Sequence, residues 1–328
     1  MDWNNTIFVV SCGGHGTRFR NDDAEPVPKV LFPLDAAGRT ALEYHFRMLP
    51  PAARIALTAG PHRQQIRDYL ESRAYFGHCA ESVTWIPERY QDMAGLAGRD
   101  GIPRFPLGAA AWLLEPSSVR SISASGVEIV VQTAGNKVGW SPFLLDRLTG
   151  RLEAGPAEWL AGVYSAADSI FEDPARYSQF DFVSDGTVHL KGHAPPAGRA
   201  LAYWYVFKVS AVCRLWEKET RHQIEVRAAA YRQKRRWRLA DGRSIDLEIM
   251  DINFALLLQH VRFDAVEIGG CVEDWGIELR TPGDVAKCRA LFARREQEGA
   301  LPPAGRPRSS WCWRHPLETP VEQNSLSE

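Results

Sequence analysis

The sequence predicts an α/β protein with a mostly parallel sheet covered by helices on both faces. Three observations predict it. Short runs of apolar and β-branched residues alternate with stretches of helical periodicity. The first run, Thr6-Ile7-Phe8-Val9-Val10, feeds a glycine-rich turn at Gly13-Gly14-His15-Gly16. The strand–helix alternation then repeats through the first ninety or so residues, the pattern of parallel strands joined by helical crossovers.

The elements follow in order. After the glycine turn, residues 30–34 read as a short extended piece and 35–39 as a turn. Thr40 can cap a helix over 41–49, where Leu42, Phe46 and Leu49 share a face, and Pro50-Pro51 stops it. A second strand spans 54–58, closed by Gly60. A helix over 62–73 places Ile66, Tyr69 and Leu70 on one face, and 83–86 is a third strand. Residues 87–107 read as loop, rich in glycine and proline, and Gly108 to Leu114 reads as a helix start. Residues 127–131 form the most clearly buried strand and run on to Gly135-Asn136-Lys137. A strand at 159–164 is followed by an Asp-Gly hairpin signal over 181–191. Residues 201–207 are an aromatic strand, 244–263 a helix and 266–268 a strand. Thr281 caps a helix over 282–295, with Pro282 in its first position. The basic stretch 221–238 reads as a solvated helix face or subunit contact. Its lysines, arginines and Trp237 leave a grip on nucleic acid or an anionic carrier as the alternative. Residues 1–298 thus form one domain with a variable basic insertion at about 221–240, and 299–328 an irregular tail in which Trp311-Cys312-Trp313 stands alone.

Composition bounds the function. With 328 residues, 45% hydrophobic and 24% charged, the chain has ample core and is not disordered as a whole. Its 39 basic and 40 acidic residues give a net charge of −1, which argues against a dedicated nucleic-acid partner. A phosphate site must come from local placement of charge. The six cysteines are scattered without a C-x-x-C pair, which argues against zinc and suits reduced thiols in a cytoplasm. No N-terminal signal peptide and no run of ~18 apolar residues is visible, so a cytoplasmic protein with no membrane partner is expected. A homo-oligomer stays open.

The chemistry is concentrated in the glycine turn. Glycines let backbone N–H groups approach an anion, and Arg18 and Lys29 add fixed positive charge. A dinucleotide fingerprint is excluded because Phe19 stands where its third glycine belongs, and a P-loop because no Gly-Lys-Ser/Thr follows. Gly13-Gly14-His15-Gly16-Thr17-Arg18 followed by Pro28-Lys29 resembles the signature of the sugar-1-phosphate nucleotidyltransferases, the NDP-sugar pyrophosphorylases. The segment Trp275 to Asp284, with Glu278 and Thr281-Pro282, resembles a second motif of that family. The resemblance covers most of residues 6–297 in order. It implies a Rossmann-like, glycosyltransferase-A-like nucleotidyltransferase fold with a small β-rich acceptor-binding part. It also implies an enzyme of the EC 2.7.7 type that joins a nucleoside triphosphate to a sugar-1-phosphate and releases pyrophosphate, with Mg²⁺ as cofactor.

Residue by residue, the resemblance implies nucleotide contacts at Gly13, Gly14, Gly16 and Thr17. It implies catalytic cations at Arg18, for the β/γ-phosphates, and Lys29, for the α-phosphate. Gly108 takes the place of the glycine that opens a helix beside the base; a small-residue helix packed on the sheet is the alternative there. Lys191 matches the lysine that binds the acceptor phosphate, although Leu190 and Gly192 depart from the family's Glu-Lys-Pro. The metal position falls on Asn136 and Glu278, where the family usually has two aspartates. An amide oxygen can ligate Mg²⁺ but brings no charge. Asn136 and the altered Glu-Lys-Pro therefore keep open a non-catalytic binder of nucleotide or NDP-sugar, and a nucleotidyltransferase acting on a non-sugar phosphate or phosphonate is a third reading beside it.

Overall fold

The computed structural model describes residues 2–12, 27–49, 53–59, 62–72, 83–87, 116–165, 179–182, 188–191, 199–218, 236–238, 244–246, 261–267 and 276–298. In chain order the elements are β1 (Thr6–Ser11), α1 (Ala41–Met48), β2 (Arg54–Ala59), α2 (Arg63–Ser72), β3 (Thr84–Pro87), α3 (Pro116–Ala124), β4 (Ile129–Ala134) and β5 (Lys137–Trp140). They continue as α4 (Pro142–Ala154), β6 (Trp159–Ser165), β7 (Gln179–Phe182), β8 (Val188–Lys191), β9 (Arg199–Lys208), α5 (Val209–Lys218), β10 (Arg236–Arg238), β11 (Ser244–Asp246), β12 (Phe263–Glu267), β13 (Gly276–Glu278) and α6 (Val285–Gln297).

The main sheet runs β12-β6-β9-β4-β1-β2-β3. Strand β9 alone is reversed: it pairs antiparallel with β6 and β4, while the other neighbours along this path are parallel. Strand β7 pairs with β9, and β8 with β7, extending the sheet as an antiparallel hairpin where Asp185-Gly186 stood in the sequence. The expected mixed, mostly parallel α/β sheet is therefore what forms.

Burial on both faces explains why the strands read as unbroken apolar runs. Along β1, Phe8 and Val10 enter the main core, while Ile7 and Val9 are equally buried on the other side. The main core takes Leu42, Tyr44 and Phe46 of α1, Ile66 and Leu70 of α2, Leu144, Leu145, Leu148 and Leu152 of α4, and Cys288 and Phe292 of α6. At its centre Phe8 stacks on Trp140 at 5.7 Å, with Trp204 edge-on to both. Helices α3 and α5 pack on each other, and α5 on β9. Trp159 of β6 and Phe207 of β9, paired in register, stack at 4.0 Å.

Several expectations are corrected. Residues 30–34 are not simply extended, because Lys29–Leu31 forms a 3₁₀ turn closed by Leu31 N–H donating to the Pro28 carbonyl at 2.9 Å. The helix expected from residue 244 is absent at its start: Ser244–Asp246 pairs antiparallel with Arg236–Arg238, Ile245 opposite Trp237. Pairing between segments has overridden helical periodicity, and the end of the basic stretch is a strand instead of a helix face. Phe263 opens a strand beside β6, three residues before the strand expected at 266. Thr40 caps α1 as expected, its hydroxyl accepting from the Glu43 N–H at 3.1 Å. The helix start at 108–114 and the tail from 299 lie outside the described residues.

Candidate functional site

The parallel strands β1, β2 and β4 end on one side of the sheet, where open α/β sheets bind ligands. Three segments converge there. Gly135 follows β4 and donates its N–H to the Ser11 carbonyl at 2.8 Å. A Cβ at Gly135 would stand 2.8 Å from that oxygen and 2.8 Å from Val30 Cγ1, so only glycine lets the strand end and the 3₁₀ turn carrying Lys29 meet.

The Gly135 carbonyl is held from below by His45 of α1. Trp140 Nε1 donates to His45 Nδ1 at 3.2 Å, which leaves the proton on Nε2 to donate to the Gly135 oxygen, also at 3.2 Å. Burial pushes the His45 pKa down to about 3, so the ring stays neutral and acts as a fixed spacer.

Asn136 and Lys137 come next, and β13 lies across them. Gly276, at φ 76°, starts β13 with its α-carbon so close to Val138 and Trp140 that a Cβ would fall 2.7 Å from the Val138 carbonyl oxygen. The register then sets Glu278 directly opposite Lys137. Leu279 N–H donates to the Asn136 carbonyl at 2.8 Å, and Asn136 Nδ2 donates to the Leu279 carbonyl at 2.7 Å. The same amide nitrogen reaches Glu278 Oε1 at 3.3 Å. Arg280 donates to Glu278 Oε2 through Nε at 3.0 Å and Nη2 at 2.9 Å. Asp284 turns away to α6's approach, its carboxylate accepting from the N–H groups of Arg280 and Thr281 and from the Thr281 hydroxyl. Thr281 thus begins this helical segment as expected, within a capping box.

Positive charge gathers around Glu278. Burial acts to raise the Glu278 pKa, but Arg280, Lys137 and Lys29 together outweigh it and hold the carboxyl below its ordinary range. Three cations thus act on one carboxylate. Lys137 is only 2% exposed, and burial pushes its pKa down to about 8 against the pull of Glu278.

Asn136 and Glu278, predicted as metal ligands, do come together, but they do not fit Mg²⁺. That ion takes about six oxygens and favours carboxylates. Glu278 spends Oε1 on the Asn136 amide and Oε2 on Arg280. Asn136 offers Glu278 an N–H₂, and the 2.7 Å contact to the Leu279 carbonyl fixes that orientation, since an amide oxygen there would face another oxygen. Among the described residues no group of three His, Cys, Asp or Glu side chains could hold a metal.

The sequence therefore brings Lys29, Asn136 and Glu278 to one place. Lys191 ends β8 opposite Gln179 on the antiparallel hairpin. Gly13, Gly14, Gly16, Thr17, Arg18 and Gly108 lie outside the described residues. Sequence reasoning missed Lys137, Arg280 and His45. Lys137 and Arg280 had a signal, since each lies within two residues of a chosen one: Lys137 follows Asn136, and Arg280 is two beyond Glu278. His45 had none, being one more residue of a helix buried all round.

No protein-family model matches the chain, and no curated protein sequence matches it either. Solved structures do. A Bacillus anthracis protein described as a glucose-1-phosphate thymidylyltransferase, in complex with a sucrose, superposes with a TM-score of 0.55 at 16% identity, over 88% of this chain and 95% of its own. A UDP-glucose pyrophosphorylase variant from Leishmania major gives 0.58 at 12% identity, over 88% of this chain and 66% of its own. A UDP-glucose phosphorylase from Trypanosoma brucei gives 0.61 at 13% identity, over 87% and 65%. This chain therefore spans nearly all of the first and just under two thirds of the other two. No described helix is long and apolar enough to cross a membrane. At these identities the likeness is one of architecture, and this chain has the fold of the sugar-1-phosphate nucleotidyltransferases.

Proposed function

We propose that this protein is a nucleotidyltransferase of the EC 2.7.7 type that condenses a nucleoside triphosphate with a sugar-1-phosphate to give an NDP-sugar and pyrophosphate. The observation that carries the reading is Lys29 pressed, through Val30, against the Gly135 strand end, in a fold shared with proteins described as sugar-1-phosphate nucleotidyltransferases. An oxygen of the acceptor phosphate attacks the α-phosphorus in line. A new P–O bond forms, the bond from the α-phosphorus to the α–β bridging oxygen breaks, and pyrophosphate departs with that electron pair. Such a transfer needs positioning and neutralisation of charge, with no nucleophilic side chain. In this reading the amides of Gly13, Gly14 and Gly16, with Thr17, approach the nucleotide, and Gly108 lies by the base. Arg18 holds the β/γ-phosphates, Lys29 the α-phosphate and Lys191 the acceptor.

A second reading is favoured by the Asn136–Glu278–Arg280 contacts: a non-catalytic homologue that binds nucleotide or NDP-sugar. One experiment separates them. The full chain is incubated with each NTP and a panel of sugar-1-phosphates, extended to other phosphates and phosphonates, and pyrophosphate is measured. Release with at least one pair is expected. Ligand-dependent thermal stabilisation without release from any pair would replace the first reading by the second. A protein that neither turns over nor binds refutes both.

A further inference from the structure

His62 closes the connection from β2 to α2, at the end of the sheet where open α/β folds bind ligands. Its carbonyl accepts from the Ile66 N–H at 3.1 Å, so it belongs to the first turn of the helix. His62, Ile66 and Leu70 recur every four residues and are all buried, which sets them on the face of α2 turned to the sheet. Ile66 and Leu70 enter the main core; His62, one turn nearer the ligand end, keeps 9% exposure. The neighbouring strands end beside β2. Cys12 N–H of β1's exit donates to the Thr58 carbonyl at 3.0 Å, and Pro87 of β3 stands opposite Ala59. Along the chain Cys12 leads into the glycine turn, and Pro87 into the stretch that reaches Gly108. The His62 imidazole is incompletely bonded. Nδ1 faces Gln65 Oε1 at 2.8 Å. An amide oxygen only accepts, so Nδ1 carries the proton and Nε2 of the neutral ring is a bare lone pair. That nitrogen is buried and has no hydrogen-bond partner.

We propose that His62 is a base-binding residue, its Nε2 accepting a hydrogen bond from an N–H of the nucleobase. The identity of the ligand as a nucleotide rests on the reading above, while the unpartnered acceptor and its place at the ligand end of the sheet do not. A neutral imidazole lone pair selects a donor and gives nothing to a phosphate, whose ionised oxygens only accept. A nucleobase offers such a donor in a ring N–H or an exocyclic amine. In the ligand-free chain Nε2 is covered, so the ring turns about its side-chain bonds to meet the base. Its neighbours in the first turn, Arg63, Gln64 and Gln65, are exposed and leave that side open. The resting position carries the cost of a buried acceptor without a donor. Bound nucleotide relieves that cost, and this difference between the two states is what favours the turned ring.

The test is calorimetry of the full chain with each NTP, and with ribose 5-triphosphate and inorganic tripolyphosphate as base-free probes, all in Mg²⁺. His62→Phe keeps a ring and removes both nitrogens. It should weaken the best-bound NTP by about tenfold, the loss of one hydrogen bond that leaves the base N–H unpaired. It should leave the base-free probes unchanged and hold or raise the midpoint of urea unfolding, because the buried acceptor is gone. A histidine with a packing role alone would lower that midpoint and affect every probe alike. Should His62→Phe fail to fold, the wild type decides. Long-range ¹H–¹⁵N spectra of its assigned histidine rings should show His62 protonated at Nδ1, with an Nε2 resonance that shifts on adding NTP and stays put with tripolyphosphate. Unchanged NTP affinity in a folded His62→Phe, equal losses for the base-free probes, or an unmoved Nε2 resonance each overturns the proposal. The outcomes also separate it from the reading above. Pyrophosphate release with NTP affinity untouched by His62→Phe removes this proposal and keeps the enzyme. A wild type that binds no NTP removes both.

Discussion

Acid should weaken this fold through His45 before its carboxylates titrate. The ring is fully buried, donates from Nε2 to the Gly135 carbonyl and accepts from Trp140 at Nδ1. Its pKa falls from an ordinary 6.5 to about 3 because burial penalises the imidazolium. In the unfolded chain it regains the ordinary value, so between those limits the unfolded state binds the extra proton. Stability therefore rises with pH, and what His45 contributes is present above the unfolded pKa and lost as pH falls below it, by up to about 1.4 kcal/mol per pH unit. From pH 7 to pH 5 the loss integrates to roughly 2 kcal/mol, a sizeable part of a typical folding free energy of about 5–15 kcal/mol. Urea unfolding followed by tryptophan fluorescence at several pH values over that range measures it directly. A wild-type free energy that stays flat from pH 7 to pH 5 would refute the buried neutral ring. His45→Gln should be less stable at pH 7 but should lose less on acidification, since the glutamine has no proton to take up.

Other outcomes follow from the same contacts. Gly135→Ala forces a methyl to 2.8 Å from the Ser11 oxygen and Val30 Cγ1, and should cost about 1–3 kcal/mol in chemical unfolding. Arg280→Met leaves Glu278 without its two strongest donors and should destabilise by about 2–4 kcal/mol, with Glu278→Gln in the same chain recovering part of the loss in a double-mutant cycle. Lys29→Ala should depress pyrophosphate release at least ~100-fold while shifting the unfolding midpoint little, because Lys29 is half-buried on a turn outside the main core. Cys288, buried and with its thiol pushed up to about 12 by burial and by Asp284 and Glu278, should resist alkylation in the folded protein at neutral pH and react on unfolding.

What the sequence could and could not show follows from how each signal arises. The strands β1, β2 and β4 were legible because burial on both faces leaves an apolar run that needs no partner to be recognised. Helix α1 was legible from Thr40 and Pro50, which act locally. Helices α3 and α4 carried comparable signals, Pro116 before Val119 and Ile122, and Ser141-Pro142 before a leucine stripe, and these were passed over. Strands β10 and β11 were not legible, since three-residue strands exist only by pairing with each other. The site divides in the same way. A glycine turn with Pro28-Lys29 announces itself by spacing, and Thr281-Pro282 fixes Glu278. Their electrostatic meaning is a property of register. Only the pairing of Glu278 opposite Lys137 shows that a carboxylate chosen as a metal ligand faces three cations and an amide donor. From sequence, Asn136 in place of a carboxylate looks like a weakened metal site. With Glu278 opposite Lys137 and bonded to Arg280, the same asparagine is seen to donate to that carboxylate instead of standing beside it as a second negative ligand.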